Sequence, residues 1–245
     1  MQSPSRWINL SGAVNVRDLG GYKAESGITR WNKLIRADNL HRLTEADQGI
    51  LLDAGVRMII DLRHGNELIS APNVFANHSQ IHYVNIPIFR QTPPIAQTDT
   101  VSDLPTVFRY MVENCKEGFG EALSAIADAD EGTVLYHCTA GKDRTGVLTA
   151  LVLRLVGVAA DDVSEDFALT TLAMARLRPV ILEQVKQTGG NTEQVERLLS
   201  SESADMDALL MYIDDHYGDI FNYVYTLGLT DTLIDRIRTR LLTSQ

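Results

Sequence analysis

The sequence predicts an α/β fold in which a central, mainly parallel sheet is flanked by helices, with extra helices at the C-terminus. Up to residue 160, short apolar runs of strand length alternate with helical segments, an order that favours a parallel sheet. From Asp161 onward, helical spacing of the apolar residues dominates. The 245 residues are 44% hydrophobic and 22% charged, an ordinary globular composition. We predict one domain over residues 1–245, with residues from about 160 to 245 packed on it.

The first half of the chain begins with loops and short extended pieces that lead into a strand at residues 33–36. Thr44 and Asp47 suit the first turn of a helix, and Gly55 is placed to end it. Further strands are predicted at residues 56–60 and 81–88. Residues 91–105 contain three prolines and show no apolar period. We interpret them as a long loop, of the kind that often forms a lid or binding loop.

The second half has clearer periodicity. A helix is predicted from Thr106 to about Asp128, followed by an apolar strand at residues 133–136. An apolar helix is predicted over residues 145–156. The last two helices are expected at residues 206–217 and 230–242.

Net charge and cysteine content restrict the classes of partner and compartment. The formal charge of −10 predicts no nucleic-acid partner, because such binding usually needs a broad basic face. Two cysteines are too few for a disulfide framework and favour a reducing cytoplasmic location. Residues 1–10 have no apolar signal-peptide core, although export without a visible signal peptide stays open. No run approaches the ~18 apolar residues of a membrane span, so we predict no stable membrane insertion. The oligomeric state stays open.

The residues suited to chemistry lie between the predicted strand ending at Tyr136 and the helix starting at Thr145. This segment reads His-Cys-Thr-Ala-Gly-Lys-Asp-Arg-Thr-Gly over residues 137–146. In a strand-to-helix turn the backbone N–H groups point inward, and the helix N-terminus adds about half a positive charge. The turn therefore suits a phosphate dianion, and the same field stabilises a thiolate on Cys138. Arg144 can aim its guanidinium at two phosphate oxygens.

Three other interpretations of this segment compete. A cysteine after a buried strand is usually a small core residue, as we expect for Cys115, but the surrounding glycine, lysine and arginine argue against this for Cys138. A Walker loop is excluded because Tyr136 replaces its first glycine and Asp143 replaces its Ser or Thr. A zinc site is disfavoured because Cys138 adjoins a histidine and no second ligand pair has suitable spacing.

The loop sequence resembles the His-Cys-x-x-Gly-Lys-Asp-Arg-Thr-Gly signature of the bacterial atypical protein tyrosine and lipid phosphatases. This family is typified by mycobacterial protein tyrosine phosphatase B. The end of the chain, residues 216–238, is also similar to the family, so the likeness covers nearly the whole length. Three further segments resemble it, namely residues 15–21, 36–40 and 61–63. The resemblance implies a protein tyrosine phosphatase fold, no metal or other cofactor, and a phosphocysteine intermediate.

The resemblance also assigns roles to the loop residues. Cys138 becomes the nucleophile, while Arg144 and the loop amides hold the equatorial phosphate oxygens. Thr145 would hydrogen-bond the sulfur and help it to leave. Lys142 either adds charge at the rim of the loop for an anionic head group or is a solvated surface lysine. The substrate-binding residues expected on this basis are Thr139, Ala140, Gly141, Lys142 and Thr145.

A leaving alkoxide or phenoxide requires a proton, so a general acid is expected. The resemblance favours Asp143 for this role. Asp61, Asp99 and Asp103 stay as competitors, the last two on the predicted lid.

Five residues are expected to support the loop. His137 either orients the loop through a hydrogen bond or is a buried structural histidine. The other four either form a buried ion-pair cluster or are surface pairs, which contribute ~0–1 kcal/mol each. The resemblance favours the cluster, which would contain Arg17, Asp18, Asp61 and Arg63.

We therefore predict a cysteine-dependent phosphomonoesterase of the protein tyrosine phosphatase type. Its substrates would be phosphorylated proteins or phosphoinositides, and the sequence does not separate phosphotyrosine from phosphoserine, phosphothreonine or phosphoinositide. Two alternatives come from other classes. A non-catalytic module that binds phosphorylated ligands would be expected to lose Cys138 or Arg144, and both are present. A thiol redox sensor would need a resolving cysteine, for which Cys115 is the one candidate.

Overall fold

The computed structural model describes residues 5–91, 103–187 and 189–243. Its central sheet has the strand order β1-β4-β7-β5-β6, in which β1 is antiparallel to β4 and all other neighbours are parallel. A separate hairpin joins β2 to β3. The strands in chain order are β1 (Arg17–Asp18), β2 (Lys23–Ala24), β3 (Gly27–Ile28), β4 (Leu34–Ala37), β5 (Val56–Asp61), β6 (His82–Asn85) and β7 (Thr133–His137). The predicted α/β fold with a mainly parallel sheet is confirmed.

Helices cover the connections between the strands and form the C-terminal part. The first five are α1 (Glu45–Asp53), α2 (Gly65–Ser70), α3 (Leu104–Asn114), α4 (Lys116–Asp128) and α5 (Asp143–Leu155). The others are α6 (Ala160–Ala168), α7 (Thr170–Gln187), α8 (Thr192–Leu198), α9 (Ser203–Tyr217), α10 (Ile220–Tyr225) and α11 (Asp231–Leu241). In the described parts of the chain, none of these helices is long and apolar enough to cross a bilayer.

The two faces of the sheet bury two different hydrophobic clusters. Successive side chains of a strand point to opposite faces, so Leu34 and Ile60 enter the larger cluster while Ile35 and Ile59 enter the smaller one. The larger cluster contains residues of α3 to α6 and of α9 to α11. The smaller cluster packs under α1 and the segment after α2. α5 follows β7 directly and is buried along most of its length, which fixes the strand-to-helix turn between them.

The predicted helix over residues 106–128 is wrong in one respect, since it is two helices that meet at Cys115. A straight helix would not bring Gly118 and Gly120 of α4 to their neighbours. A Cβ at Gly118 would lie 3.0 Å from the backbone of Ile88, and one at Gly120 would lie 2.3 Å from the Leu227 carbonyl oxygen. These close approaches are contacts between residues far apart in the sequence. The local spacing of apolar residues, on which the prediction of one helix was based, contains no information about them.

Three smaller differences concern the end of β6, the start of α3 and the presence of α2. The strand expected over residues 81–88 ends at Asn85, before Pro87, which has no N–H to donate. α3 begins at Leu104, so the end of the expected loop 91–105 is helical. Residues 92–102 of that loop, including Asp99, lie outside the described residues. α2 was not predicted at all, and it carries a residue of the candidate site.

Candidate active site

The loop between β7 and α5 lies at the carboxyl ends of three parallel strands. Ala37 of β4 and Asp61 of β5 both pair in register with His137, the last residue of β7. The segments that follow these three strands therefore meet at one edge of the sheet, where open α/β sheets bind ligands. We call residues Cys138–Arg144 the phosphate loop.

Five successive carbonyl groups of the phosphate loop, from Cys138 to Lys142, accept hydrogen bonds. Nδ1 of His137 lies 3.1 Å from Cys138 O, and the Asn39 N–H donates to Thr139 O at 3.1 Å. Nδ2 of Asn15 donates to Ala140 O and to Gly141 O, both at 3.0 Å. Arg36 also donates to Gly141 O at 2.8 Å, and Gly146 N–H donates to Lys142 O. Because these carbonyl oxygens are held by the chain, we expect the loop N–H groups to face the concave side, which suits an anion.

Gly141 is the residue that lets the loop turn this tightly. Its φ is +63°, and a Cβ there would lie 2.6 Å from the carbonyl oxygen of Ala37. Any other residue would be strained and would push the loop away from β4.

Arg144 extends from the first turn of α5 and is held by Glu67 of α2. Its Nη1 and Nη2 donate to the two carboxylate oxygens of Glu67 at 2.7 and 2.9 Å, and Nη2 lies 3.3 Å from Oγ1 of Thr139. The Thr139 hydroxyl also donates to Glu67. Burial acts to raise the pKa of Glu67, but the hydrogen bonds and charge of Arg144 outweigh it and lower this pKa to about 2. Burial likewise acts to lower the pKa of Arg144, and the neighbouring Cys138 and Glu67 raise it above its ordinary value.

Lys142 and Asp143 form an ion pair with each other. Lys142 Nζ donates to Oδ1 of Asp143 at 2.6 Å. The lysine is almost fully buried, with 1% of its surface exposed, while the Asp143 side chain is 37% exposed. The interpretation of Lys142 as a solvated surface lysine is therefore wrong, whereas its role as a positive charge at the loop stays a prediction. The charge of Lys142 also acts on Asp205 of α9, where it opposes the rise that burial causes in the pKa of that carboxyl.

Cys138 begins the phosphate loop and Thr145 directly follows it, and both are buried. Cys138 is buried and its thiol is free. The hydroxyl of Thr145 is also buried and has no hydrogen-bond partner in the part of the chain that the structure describes. Buried hydroxyls are normally bonded, so Thr145 holds an unused donor beside the first turn of α5.

On one side of the loop, the Asp61 carboxylate accepts hydrogen bonds from several buried donors. Its carboxylate accepts from Nε and Nη2 of Arg63 at 2.9 and 2.6 Å and from the Tyr83 hydroxyl at 2.9 Å. Nε2 of His137 lies 3.2 Å from Asp61 and 2.9 Å from Nδ2 of Asn73. Burial acts to raise the pKa of Asp61, but the charge of His137 and the bonds from Arg63 lower it well below its usual range. Through His137, this cluster reaches the Cys138 carbonyl.

On the other side, Asp166 of α6 binds two fully buried arginines. Nε of Arg17 lies 3.0 Å from one carboxylate oxygen and Nη1 of Arg36 lies 2.6 Å from the other. Arg17 also donates to Oδ1 of Asn15, the residue that holds Ala140 and Gly141. Burial acts to raise the pKa of Asp166, and the two arginines lower it well below its usual range.

The expected single cluster of Arg17, Asp18, Asp61 and Arg63 is therefore corrected. The two arginines belong to separate clusters, one on each side of the phosphate loop. Asp18 belongs to neither, because its carboxylate accepts N–H bonds from Gly20 and Asn32 and so stabilises a turn. Strand β1 turns Arg17 and Asp18 to opposite faces of the sheet, as its period of two residues requires.

Sequence reasoning missed four residues of the site. Glu67 had a local signal, because a capping residue followed by Glu three positions on starts a helix, as His64 and Glu67 do in α2. Asn15 and Arg36 occurred in family-like segments without a role. Asp166 had no signal, since it is one acid among several in an amphipathic helix.

Comparisons with known proteins show the family of this chain. The model described as the tyrosine phosphatase family matches residues 8–243. A tyrosine-protein phosphatase of Nostoc commune is 26% identical over 215 residues, covering 84% of this chain and 73% of its own. The triple specificity protein phosphatase PtpB of Mycobacterium tuberculosis is 26% identical over 279 residues, covering 95% and 98%. The inositol diphosphatase DSP4 of Arabidopsis thaliana is 32% identical over 79 residues, covering 29% and 40%.

Proposed function

Because the chain belongs to the tyrosine phosphatase family, and is thus a hydrolase of this type, we propose that it cleaves phosphomonoesters through a phosphocysteine intermediate on Cys138. The observation that carries the proposal is that all five carbonyl groups from Cys138 to Lys142 are hydrogen-bonded to the chain itself. An anion-binding loop of this kind, with a thiol at its start and a guanidinium at its end, matches what phosphoryl transfer needs.

In the first step, the Cys138 thiolate attacks phosphorus, so that an S–P bond forms as the ester P–O bond breaks. Arg144 and the loop amides would stabilise the equatorial oxygens. Glu67 leaves room for this, because it uses one N–H on each terminal nitrogen of Arg144. An arginine has five N–H donors, and the second N–H of Nη2 is directed to Thr139, so Nε–H and one N–H on Nη1 stay available to phosphate. Glu67 is thus a positioning residue, which fixes the direction of the guanidinium.

The leaving oxygen takes its proton from Asp143 in this proposal. Asp61 is a poor competitor, because its strongly lowered pKa and its bonds to Arg63 keep it ionised. Asp103 is occupied at the N-terminus of α3, where it accepts the Thr106 N–H at 2.9 Å. Asp99 lies outside the described residues. Asp143 is at the loop itself and partly exposed, so a substrate oxygen can reach it.

In the second step, water attacks phosphorus on the side opposite to sulfur, and the S–P bond breaks to release inorganic phosphate. Asp143, deprotonated in the first step, accepts the proton of this water. The unpartnered hydroxyl of Thr145 would donate to the leaving Cys138 sulfur.

For the substrate, we propose phosphotyrosine on proteins first. The ring centroid of Phe89 lies 6.0 Å from Cζ of Arg144, which gives the site an aromatic wall for a phenyl ring. Phosphoserine, phosphothreonine and phosphoinositides are the second candidates. The names of the triple specificity phosphatase and of the inositol diphosphatase among the relatives favour testing them.

The alternative of a redox sensor has little support. Burial raises the pKa of the Cys115 thiol to about 11, so this residue would be a poor resolving nucleophile. The phosphatase family assignment likewise argues against a module that only binds phosphorylated ligands.

Rapid-quench kinetics with p-nitrophenyl phosphate test the proposal. We expect acid-quenched protein to carry one phosphoryl group on Cys138 and Cys138→Ser to have neither this adduct nor turnover. Cys115→Ala serves as the matched control and should keep both. Turnover that survives in Cys138→Ser would contradict the mechanism.

A further inference from the structure

The segment after α2 reaches the cysteine end of the phosphate loop through Asn73. This asparagine is buried, with 6% of its surface exposed. Its Nδ2 lies 2.9 Å from Nε2 of His137, and Nδ1 of the same ring lies 3.1 Å from Cys138 O. Glu67 of α2 holds Arg144 at the other end of the loop. The chain from α2 to residue 73 therefore contacts the supports of both ends.

The orientation of the Asn73 amide is set by its own turn. Its Oδ1 accepts the Phe75 N–H at 2.9 Å, and Phe75 is fully buried in the smaller hydrophobic cluster. At the start of the same segment, Nη1 of Arg63 donates to Ala71 O at 2.8 Å. Because Oδ1 is occupied in this turn, the NH2 group is the part of the amide that faces His137.

The two neighbours of the ring determine which of its nitrogens carries a proton. An amide NH2 group only donates, so the ring atom that it meets, Nε2, has to accept. A carbonyl oxygen only accepts, so Nδ1, which faces Cys138 O, has to donate. Asn73 and the Cys138 carbonyl therefore both favour a neutral His137 with its proton on Nδ1.

Asp61 acts on the same ring in the opposite direction. Its Oδ2 lies 3.2 Å from Nε2 and attracts a proton there, and the charge of the ring in that protonated form acts on Asp61. The same oxygen already accepts from Nη2 of Arg63 at 2.6 Å and from the Tyr83 hydroxyl at 2.9 Å. Asp38, which also interacts with the charge of the ring, is bonded by backbone N–H groups. Neither carboxylate therefore depends on a proton from His137.

The bond to Cys138 O also orients the next amide of the loop. A trans peptide group is planar, and its C=O and N–H point in opposite directions. When His137 holds the Cys138 oxygen on its own side, the Thr139 N–H of the same peptide group points away from the ring. An amide oriented in this way next to the thiol stabilises a thiolate and an incoming phosphate.

We propose that Asn73 is a positioning residue for the nucleophile. It keeps His137 protonated on Nδ1, and His137 in turn holds the Cys138 carbonyl. Without Asn73, a neutral ring has one proton for two acceptors, and the charged Asp61 takes it in preference to the carbonyl. The proposal rests on the proposed function, because it assigns a support to the thiolate that attacks phosphorus.

NMR spectra test the protonation of the ring without reference to activity. Long-range 1H–15N correlation spectra of protein labelled with 15N-histidine distinguish the three forms of the ring, and His137→Gln identifies the His137 signals by their loss. In the native protein at neutral pH we expect a proton on Nδ1 alone. In Asn73→Ser, whose hydroxyl oxygen can still accept the Phe75 N–H but does not reach the ring, we expect the proton on Nε2.

Kinetics test whether this contact supports the reaction. In Asn73→Ser at neutral pH we expect kcat/KM for p-nitrophenyl phosphate to fall about tenfold, the effect of one hydrogen bond. The difference from the native protein should shrink towards acid pH, because a ring that gains a second proton donates from Nδ1 again. Asn114→Ser, which removes an exposed amide that donates to the Tyr110 carbonyl, is the matched control and should keep native kinetics at every pH.

Asn73→Asp is the second variant if Asn73→Ser does not fold. It keeps the shape and the oxygen of the turn, but it places an acceptor where Asn73 has a donor. Its His137 should carry a second proton at neutral pH, and a ring that still carries a proton on Nδ1 alone would contradict the role of Asn73.

Two kinds of failure can be told apart. A native His137 with its proton on Nε2, or a ring unchanged in Asn73→Ser, overturns the role of Asn73 whatever the rates are. A changed ring with native rates, or a loss of rate that is the same at every pH, also overturns it. If hydrolysis is absent, or survives in Cys138→Ser, the proposed function fails and the support of the nucleophile fails with it.

Discussion

At the scale of single residues, the contact between Glu67 and Arg144 connects the helix after β5 to the phosphate loop. The pair is only partly buried, with 33% of the Glu67 side chain exposed. The ion pair therefore contributes little to folding stability, since solvent screens such pairs. Its main effect is to fix the orientation of the Arg144 guanidinium. The same carboxylate accepts the His64 N–H at the start of α2, so the helix holds the glutamate and the glutamate holds the arginine.

Replacement of Glu67 by glutamine should weaken this arrangement. The amide keeps the shape but loses the charge-assisted bonds, so we expect kcat/KM for p-nitrophenyl phosphate to fall by about tenfold. Glu117→Gln, at an exposed pair with Arg90, is the matched control and should have native kinetics. Native kinetics in Glu67→Gln itself would show that Arg144 needs no such partner.

The lowered pKa of Glu67 gives a pH dependence with a definite sign. Its folded value is about 2 and its ordinary value is 4.5, so the ionised form is favoured by folding. This contribution to stability is complete above pH 4.5 and is lost as the pH falls through about 2. Thermal unfolding of native protein and Glu67→Gln from pH 6 to pH 2 should show two Tm values that converge on the acid side. A difference that grows towards low pH would contradict this.

The proposed acid Asp143 can be tested through the leaving group. In Asp143→Asn, an alkyl phosphate with a poor leaving group should be hydrolysed about a hundredfold more slowly, because no proton is supplied. p-Nitrophenyl phosphate, whose leaving group needs no proton, should be affected much less, and the alkaline limb of the pH–rate profile should disappear. Unchanged turnover and pH profile for the alkyl phosphate would remove Asp143 from the role.

At the scale of elements, the phosphate loop depends on the distance between β4 and the start of α5. Gly141 passes close to Ala37 at the end of β4, and Arg36 of the same strand donates to the Gly141 carbonyl. The loop is therefore shaped by its neighbouring strand as much as by its own sequence.

Gly141→Ala tests this dependence. The new Cβ would meet the Ala37 oxygen at 2.6 Å with φ at +63°, so the loop must move. A shift of about 1 Å in a catalytic group can cost roughly a hundredfold in rate, and we expect kcat/KM to fall by at least that factor. Gly49→Ala in α1, where a Cβ meets no atom within 4 Å, is the control and should be neutral or slightly stabilising. Near-native activity in Gly141→Ala would show that the loop tolerates displacement.

At the scale of the whole molecule, Asp166 joins three distant parts of the chain. It binds Arg17 of β1 and Arg36 of β4 from its place on α6, and the Tyr22 hydroxyl donates to it at 2.8 Å. All four side chains are buried or nearly so. The carboxylate of Asp166 thus neutralises two positive charges. Arg17 also donates to Asn15, and Asn15 donates to the Gly141 carbonyl, so these contacts connect the Asp166 cluster to the phosphate loop.

Asp166→Asn should leave two buried arginines without their counter-charge. Breaking a buried ion pair in this way usually costs about 3–5 kcal/mol, so we expect the free energy of unfolding to fall by that amount in urea titrations. Glu165→Gln, at the exposed neighbouring position of α6, should change it little. Equal stability of the two variants would show that water or rearrangement satisfies the arginines.

The sequence was sufficient for the α/β fold and for the position of the candidate phosphate loop between a strand and a helix. Strand-length apolar runs and helical spacing are local properties, and the turn from β7 to α5 is one continuous segment. Cys138 and Arg144 could therefore be proposed as site residues from a short part of the chain, whereas the family match extends over residues 8–243.

The residues that hold the phosphate loop could be identified only from the tertiary structure. Glu67, Asn15 and Asp166 reach it from α2, from the segment before β1 and from α6, at sequence separations of 77 residues for Glu67 and Arg144 and 126 for Asn15 and Gly141. A buried ion pair leaves no periodic pattern, because its members contact each other across the fold. For the same reason the four residues Arg17, Asp18, Asp61 and Arg63 were joined into one cluster, although the phosphate loop separates them into two sides and leaves Asp18 in a turn.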